Sequence, residues 1–158
     1  MPSEIAGTAF LFAILVISAL IAFLKRSDPS DSRGVVPLAC LTLAIQAVHC
    51  AEEFVTGFPA TFPRLLGLEP WSPDFFVSFN LAWIAIWSLS LGAVSRGRSN
   101  WLVMTVFWFL GLAAVANGFA HPLLSLASAN YFPGTVSAIP LGLCGYFLIR
   151  RMASAQRR

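Results

Sequence analysis

Five long apolar stretches restrict the folds that are open to this chain. They cover residues 5–24, 35–55, 75–94, 101–120 and 135–149. An α-helix rises about 1.5 Å per residue, so about 20 apolar residues cross the hydrocarbon core of a bilayer. The first four stretches meet that length, whereas the fifth is shorter and contains Pro140. We expect the fifth helix either to begin a turn earlier, near Tyr131, or to be kinked.

The composition indicates an integral membrane protein. The 158 residues are 58% hydrophobic and 11% charged, with a mean hydropathy of +0.77, whereas soluble domains carry about 25% charged residues. Because lipid cannot pair with backbone polar groups, apolar stretches of this length fold as helices. The sequence predicts an all-α protein, a polytopic membrane bundle of five transmembrane helices that forms a single domain over residues 1–158.

The basic residues predict the orientation of this bundle, because cytoplasmic loops retain Lys and Arg. Nine of the ten fall on the same side of the predicted membrane, and only Arg64 falls on the other. The nine are Lys25, Arg26, Arg33, Arg96, Arg98, Arg150, Arg151, Arg157 and Arg158. We therefore expect an external N-terminus and a cytoplasmic C-terminus. The net charge of +3 follows from this topology and predicts no nucleic-acid partner.

A polar face on the second stretch is the main candidate for chemistry. Glu52 and Glu53 follow His49 by three and four residues, and Gln46 lies about one turn earlier. Residues three and four apart share a helix face, so these side chains form one polar strip. An ionisable residue costs roughly 2.5 to 3.5 kcal/mol at the bilayer centre, so this strip must face protein, water or a ligand.

The fourth stretch carries matching polar residues at the same depth. Asn117 and His121 are four residues apart and share a face. In the predicted topology the second and fourth helices run in the same direction, so their polar ends reach the same leaflet. Asn80, on the third stretch, lies close to that level. We predict that His49 and His121, the only two histidines, meet near the outer surface.

This set of residues is typical of a metal site. Neutral imidazole and carboxylate oxygen are ligands of zinc and of non-haem iron, and three ligands leave an open position. We predict that His49, His121 and Glu53 hold a divalent metal, zinc in preference to iron, and that Glu52 is the general base. Neighbours on a helix diverge by about 100°, so only one glutamate faces the site squarely, and their roles could be reversed. Asn117 would orient a ligand or polarise the substrate.

The connections at this side of the bundle predict a covered pocket. Residues 57–73 are apolar and rich in proline, and we expect them to lie over the polar cluster, with one turn of helix at residues 65–68. Pro122 directly follows His121 and predicts that the fourth helix ends or kinks there. Gln46, Asn80 and Tyr131 are secondary candidates for the same site.

Other interpretations of the polar and thiol residues stay open. The polar clusters lie near helix ends, so they could reach interfacial water, or they could join helices through hydrogen bonds. The three cysteines, Cys40, Cys50 and Cys144, lie within apolar stretches at no metal-ligand spacing. We expect them to be small residues of the core.

The two polar clusters resemble the signatures of a known family. His49, Glu52 and Glu53 spell His-x-x-Glu-Glu, and a second signature is matched by Asn117, Gly118, His121, Tyr131, Pro133 and Gly134. On these motifs the chain resembles the HXXEE family of small bacterial integral membrane proteins. The resemblance implies one site shared by both clusters and a location in the bacterial cytoplasmic (inner) membrane. It implies no reaction.

A looser likeness is to sterol isomerases of the emopamil-binding type and to related membrane terpene cyclases. The chain is similar to them in size, in its number of predicted spans and in the spacing of His49 and Glu53. This likeness implies proton transfer between intramembrane His or Glu side chains and a lipophilic substrate.

Three functions fit the predicted site. We prefer a membrane-embedded metal-dependent enzyme, a hydrolase acting on a lipid or an amphipathic small molecule from the outer leaflet, because converging histidines and carboxylates form a ligand set. The second is a metal-free acid–base isomerase or cyclase of a sterol- or terpene-like substrate. The third is a protein that binds or transports a metal ion or a proton, which ranks last because no ionisable residue continues the path across the membrane.

Overall fold

The computed structural model describes residues 3–25 and 33–155 of the chain. In these ranges it contains six α-helices and no strand, so the predicted all-α class is confirmed. The helices are α1 (Ser3–Lys25), α2 (Val36–Val55), α3 (Phe58–Leu65), α4 (Pro73–Ser95), α5 (Trp101–Ala127) and α6 (Thr135–Ala155). A short 3-10 turn, Arg33–Val35, precedes α2.

Five of these helices match the five predicted spans. By length and composition, α1, α2, α4, α5 and α6 are each able to cross a membrane, whereas α3 is too short. The predicted five-helix membrane bundle is therefore confirmed. Its direction across the membrane stays a prediction, and Arg26, Arg157 and Arg158, on which that prediction partly depends, lie outside the described residues.

The sequence predicts that the fourth spanning helix ends or kinks at Pro122, and the first of these alternatives is wrong. Helix α5 continues through this proline to Ala127. The extra turn is attached to the start of α6, because Ser125 Oγ lies 2.7 Å from Thr135 Oγ1 and accepts a hydrogen bond of 2.8 Å from the Phe132 amide. These tertiary hydrogen bonds hold the turn in place beyond the proline.

The last spanning helix begins where the predicted stretch begins and extends further toward the C-terminus than predicted. Helix α6 starts at Thr135, not near Tyr131, and extends to Ala155 with Pro140 inside it. It is preceded by Gly134, whose φ of +87° belongs to the left-handed region. A turn that requires this conformation ends the preceding segment, so the helix cannot begin earlier.

Helices α5 and α6 pack along a seam of small residues. A Cβ added to Gly118 would lie 2.6 Å from Gly142 Cα, and one added to Gly145 would lie 2.7 Å from the Ala114 Cβ. Backbones of membrane helices approach this closely only where side chains are absent or small. The seam places the first turn of α6 beside the last third of α5.

The two ends of the bundle differ in charge. At one end, the Lys25 Nζ lies 5.5 Å from the Trp108 ring centre, and Arg151 Nε donates a hydrogen bond of 3.4 Å to the Gly34 carbonyl. We call this the basic end. At the opposite end α2 and α5 finish and α6 begins, and we call it the site end.

Candidate metal site and adjoining cavity

His49, Glu53 and His121 meet at the site end, as the sequence predicts. Each offers one ligand atom, and these atoms lie within 4.8 Å of one another. Glu53 Oε1 lies 3.4 Å from His49 Nε2 and 3.3 Å from His121 Nε2. The three residues are only 0%, 6% and 3% exposed, respectively. We call this group the triad; it is compact enough to hold a metal ion.

The ring of His121 is fixed by a hydrogen bond on the side away from Glu53. Its Nδ1 lies 2.6 Å from the Pro133 carbonyl oxygen. A carbonyl can only accept, so Nδ1 carries a proton and donates it. With Nδ1 as the donor, Nε2 is the ring atom that faces the Glu53 carboxylate and could bind a metal ion. Metal-binding histidines are held in this way by a carbonyl or carboxylate behind the ring.

The ring of His49 is held in a similar way by a different partner. Its Nδ1 lies 2.9 Å from Ser137 Oγ, while its Nε2 is buried and has no hydrogen-bond partner in the described part of the chain. A buried polar atom without a partner costs about 1–3 kcal/mol. A cation between Nε2 and Glu53 would remove that cost and would set the Nδ1 proton toward Ser137.

The turn before α6 lies directly against the triad. A Cβ added to Gly134 would lie 2.8 Å from Glu53 Cγ and 2.9 Å from both Cε1 and Nδ1 of His121. The same residue has a φ of +87°, which glycine adopts at no steric cost. The Pro133–Gly134 backbone therefore supplies both a hydrogen-bond acceptor and the space that the triad needs.

Glu52 binds the first turn of α6 and is not part of the triad. Its Oε1 accepts hydrogen bonds from the Tyr131 hydroxyl at 2.5 Å and the Val136 amide at 3.0 Å, and its Oε2 accepts one from the Ser137 amide at 2.7 Å. A carboxylate at a helix N-terminus is favourable for the helix dipole. Partial burial and this hydrogen bond to Glu52 raise the pKa of the Tyr131 phenol. Glu52 thus anchors Ser137, whose hydroxyl contacts His49 Nδ1.

A cavity of about 70 Å³ adjoins the triad on the side of Glu53. Aromatic side chains form most of its wall, including Phe58 of α3 and Phe79 and Trp83 of α4. The secondary candidates Gln46 and Asn80 and the predicted catalytic residue Asn117 also line it. One water needs roughly 10–15 Å³ of such space, so the cavity has room for several waters or for part of a ligand.

A chain of hydrogen bonds orients the polar groups of this cavity. Gln46 Nε2 donates to Cys50 Sγ at 3.2 Å, and Cys50 Sγ donates to Asn80 Oδ1 at 3.1 Å. Asn80 Nδ2 in turn donates to the Phe76 carbonyl at 2.9 Å. Gln46 Oε1 is left buried and without a partner among the described residues. This acceptor belongs to a residue that lines the cavity, and it lacks a donor.

The cysteine prediction is correct only in part. Cys50 is buried but contributes hydrogen bonds, and Cys40 is exposed on the surface of the bundle, not in the core. Cys144 is partly buried. Composition alone cannot show which face of a spanning helix meets lipid, because both faces of these helices are apolar.

Helix α3 covers the triad, although not at the residues predicted to be helical. It runs over Phe58–Leu65, where the sequence predicts one turn at residues 65–68. Gly57, with a φ of +88°, precedes it, and Pro59 is in its first turn, where proline is favoured. The Phe58 ring stacks on the His121 ring, with centroids 5.5 Å apart. The predicted cover is therefore present.

Sequence reasoning missed the residues that support the triad from behind. Ser137 is an ordinary serine in an apolar stretch, and no spacing marks it. The Pro133 carbonyl is a backbone atom, so no residue type reveals it. Pro133 followed by Gly134 predicts a tight turn, and the φ of +87° at Gly134 confirms it, but no residue type shows that this turn lies against the triad.

The chain matches no family model, no curated protein and no solved structure. Function is therefore inferred from the geometry of the triad and of its cavity.

Proposed function

We propose that the protein is a membrane-embedded metalloenzyme that hydrolyses a lipid or an amphipathic small molecule. His49, Glu53 and His121 would hold the metal, with zinc preferred to iron. One observation carries this proposal: two buried Nε2 atoms face one carboxylate, while Ser137 and Pro133 bind the opposite side of each ring. Two histidines and one carboxylate with an open position are the ligand set of several zinc hydrolases.

The position of Glu53 connects the triad to a place for substrate. Glu53 Oε1 faces both imidazoles, and the same residue lines the aromatic cavity. An apolar substrate in the cavity would therefore have its reactive group beside the triad. A bound zinc ion supplies a Lewis acid that polarises a carbonyl and lowers the pKa of water. Asn117, in the same wall, would donate a hydrogen bond that orients the substrate.

We assign Glu52 a positioning role instead of the predicted role of general base. Both of its oxygens already accept hydrogen bonds from the start of α6 or from Tyr131. Among the described residues, Glu53 is the carboxylate that lines the cavity. A proton moving to or from a substrate would pass through Glu53 Oε2, since Oε1 faces the imidazoles.

Membership of the HXXEE family and a location in the bacterial cytoplasmic membrane belong to the same proposal. The family assignment is supported by the fact that both motifs contribute to the triad and the turn beside it. His49 and Glu53 come from the first motif, and His121, Pro133 and Gly134 come from the second.

Metal analysis of the detergent-purified protein tests the proposal. We expect nearly equimolar zinc in the wild type, with large losses in Glu53→Gln and in His121→Asn. Glu69→Gln is the matched control, because Glu69 is an exposed carboxylate outside the triad, and it should keep its zinc. Circular dichroism would show that each variant retains its helices. Equal, substoichiometric metal in all four proteins would refute the proposal.

The aromatic cavity favours a second function, a metal-free acid–base isomerase or cyclase of a sterol- or terpene-like substrate. Aromatic faces stabilise positive charge on a bound molecule, and aromatic rings form most of this cavity wall. In this alternative the triad holds a proton where the first function places a metal. A wild-type protein free of metal, with turnover of such a substrate lost in Glu53→Gln, would favour it. Ion or proton transport ranks third.

A further inference from the structure

A small groove between α1 and α4 shares residues with the aromatic cavity. Leu11 and Leu15 of α1 and Phe79 and Trp83 of α4 line this groove. Three of them, Leu11, Phe79 and Trp83, also line the cavity next to Glu53. Helix α1 packs chiefly against α5, which leaves the α1–α4 side less closely packed. Both helices are apolar enough to span a membrane, so the groove opens toward acyl chains.

The cavity has polar groups but no basic residue to receive an anionic head group. Its polar lining consists of a hydroxyl, two asparagine amides, one glutamine amide and one carboxylate, in a wall that is otherwise apolar. At the site end, Arg64 is exposed on α3 and does not line the cavity. In the protein without a bound metal, a phosphate placed here would lose its hydration without gaining a side-chain cation, which is a large cost for a charged group.

The unpartnered oxygen of Gln46 indicates what the head group must offer. Gln46 is 6% exposed, lines the cavity, and has no partner for Oε1 among the described residues. Its amide cannot be reversed without loss, because Nε2 donates to Cys50, whose thiol donates onward to Asn80. Oε1 can only accept a hydrogen bond. A ligand that satisfies it must carry a hydroxyl or an N–H group.

We infer that the site takes an uncharged single-chain lipid with a hydroxyl-bearing head group. The hydroxyl donates to Gln46 Oε1, the aromatic cavity holds the upper part of the chain, and the rest of the chain leaves between α1 and α4 into the bilayer. A monoacylglycerol has this chemistry. Hydrolysis of this lipid rests on the proposed function, because it requires a metal on the triad. Binding of the lipid requires only the cavity and the groove.

Equilibrium binding of radiolabelled monoacylglycerol to the full chain in detergent tests the inference. A lysophosphatidate with the same acyl chain is the charged competitor, and we expect it to bind chelator-treated, metal-free protein at least tenfold more weakly than monoacylglycerol does. Leu15→Trp fills the groove, and we expect at least a tenfold loss of affinity. Leu20→Trp is the matched control, because Leu20 lies exposed on the same helix outside the groove, and it should bind like the wild type. Leu15→Phe replaces Leu15→Trp if the larger side chain prevents folding.

A second variant tests the role of Gln46. Gln46→Leu removes the acceptor, so we expect affinity for monoacylglycerol to fall about fivefold, the worth of one hydrogen bond. The preference of the wild type for monoacylglycerol over its dimethyl ether should vanish in this variant. If Gln46→Leu keeps that preference, or lysophosphatidate binds as well as monoacylglycerol, the assigned head group is wrong. If Leu15→Trp and Leu20→Trp bind monoacylglycerol equally well, the acyl chain does not leave through the groove between α1 and α4.

Zinc content measured on the same preparations separates this inference from the proposed function. Protein that binds monoacylglycerol but contains no zinc would refute the metalloenzyme and leave the lipid site standing. Protein with equimolar zinc that does not bind monoacylglycerol would refute the lipid site and leave the metal site standing.

Discussion

Replacing Gly134 with alanine tests whether the turn before α6 shapes the triad. Gly134 has a φ of +87°, where an L-residue costs about 1–2 kcal/mol. The new Cβ would also lie 2.8 Å from Glu53 Cγ and 2.9 Å from His121 Nδ1. Ordinary contacts begin at 3.4 Å, so Glu53 or the turn must move by about 0.6 Å. Overpacking of this kind costs about 1–3 kcal/mol in addition to the backbone strain.

The displacement exceeds what a metal site tolerates. Distances from ligand atom to metal hold within about 0.2 Å, and loss of one supporting contact already lowers metal affinity by about 10- to 100-fold. We therefore expect Gly134→Ala to lower zinc affinity by at least about 100-fold. Its free energy of unfolding should fall by about 2–5 kcal/mol, which combines the strain and the overpacking.

Gly67→Ala provides the matched control for backbone strain. Gly67 has a φ of +69°, but a Cβ added there would meet no atom within 4 Å. It should lose only the strain term and should bind zinc like the wild type. Competition with a chromophoric chelator measures zinc affinity, and unfolding in mixed micelles measures stability. If Gly134→Ala binds zinc as tightly as Gly67→Ala, the close contact between the turn and the triad is not as we describe it.

Two further predictions concern the supports of the triad. Ser137→Ala removes the partner of His49 Nδ1 and should lower zinc affinity about 10-fold. Ser88→Ala is the control, because the Ser88 hydroxyl bonds within its own helix, and it should keep the wild-type affinity. If the two variants bind zinc equally well, Ser137 does not support the triad. Because partial burial and the hydrogen bond to Glu52 raise the pKa of Tyr131 above 10, the absorbance difference between wild type and Tyr131→Phe should titrate above pH 10. The folded state holds this proton more tightly than the unfolded state, so the associated stability is complete below the unfolded pKa and is lost as pH rises through the folded pKa. A titration midpoint in the folded protein at or below that of the unfolded protein would contradict this assignment.

The number and nature of the helices could be predicted because a bilayer leaves few alternatives. Apolar stretches that cannot pair their backbone with water must become helices, so length and hydropathy decide the class. The meeting of His49, Glu53 and His121 followed from two further regularities. Residues four apart share a helix face, and helices that run in the same direction bring residues near their ends to the same level.

The rest depended on contacts between segments that are distant in the chain. Continuation of α5 beyond Pro122 relies on the hydrogen bond between Ser125 and Thr135, which no local pattern contains. The role of Glu52 could not be inferred from its helix face, because its partners Val136 and Ser137 lie 84 and 85 positions away in the chain. Helix periodicity gives the direction of a side chain but not the identity of the neighbour that it meets.

The long separation between His49 and Ser137, 88 positions along the chain, has a consequence for biosynthesis. A ribosome emits α2 well before α6, so His49 and Glu53 enter the membrane when neither Ser137 nor the Pro133 carbonyl has been made. A nascent chain at that stage lacks the groups that orient both imidazoles, and an ion captured then would be held loosely and exchange readily. If the triad holds a metal as proposed, selective loading would wait until α6 has been made, and a product truncated before α6 would lack the groups that orient the imidazoles.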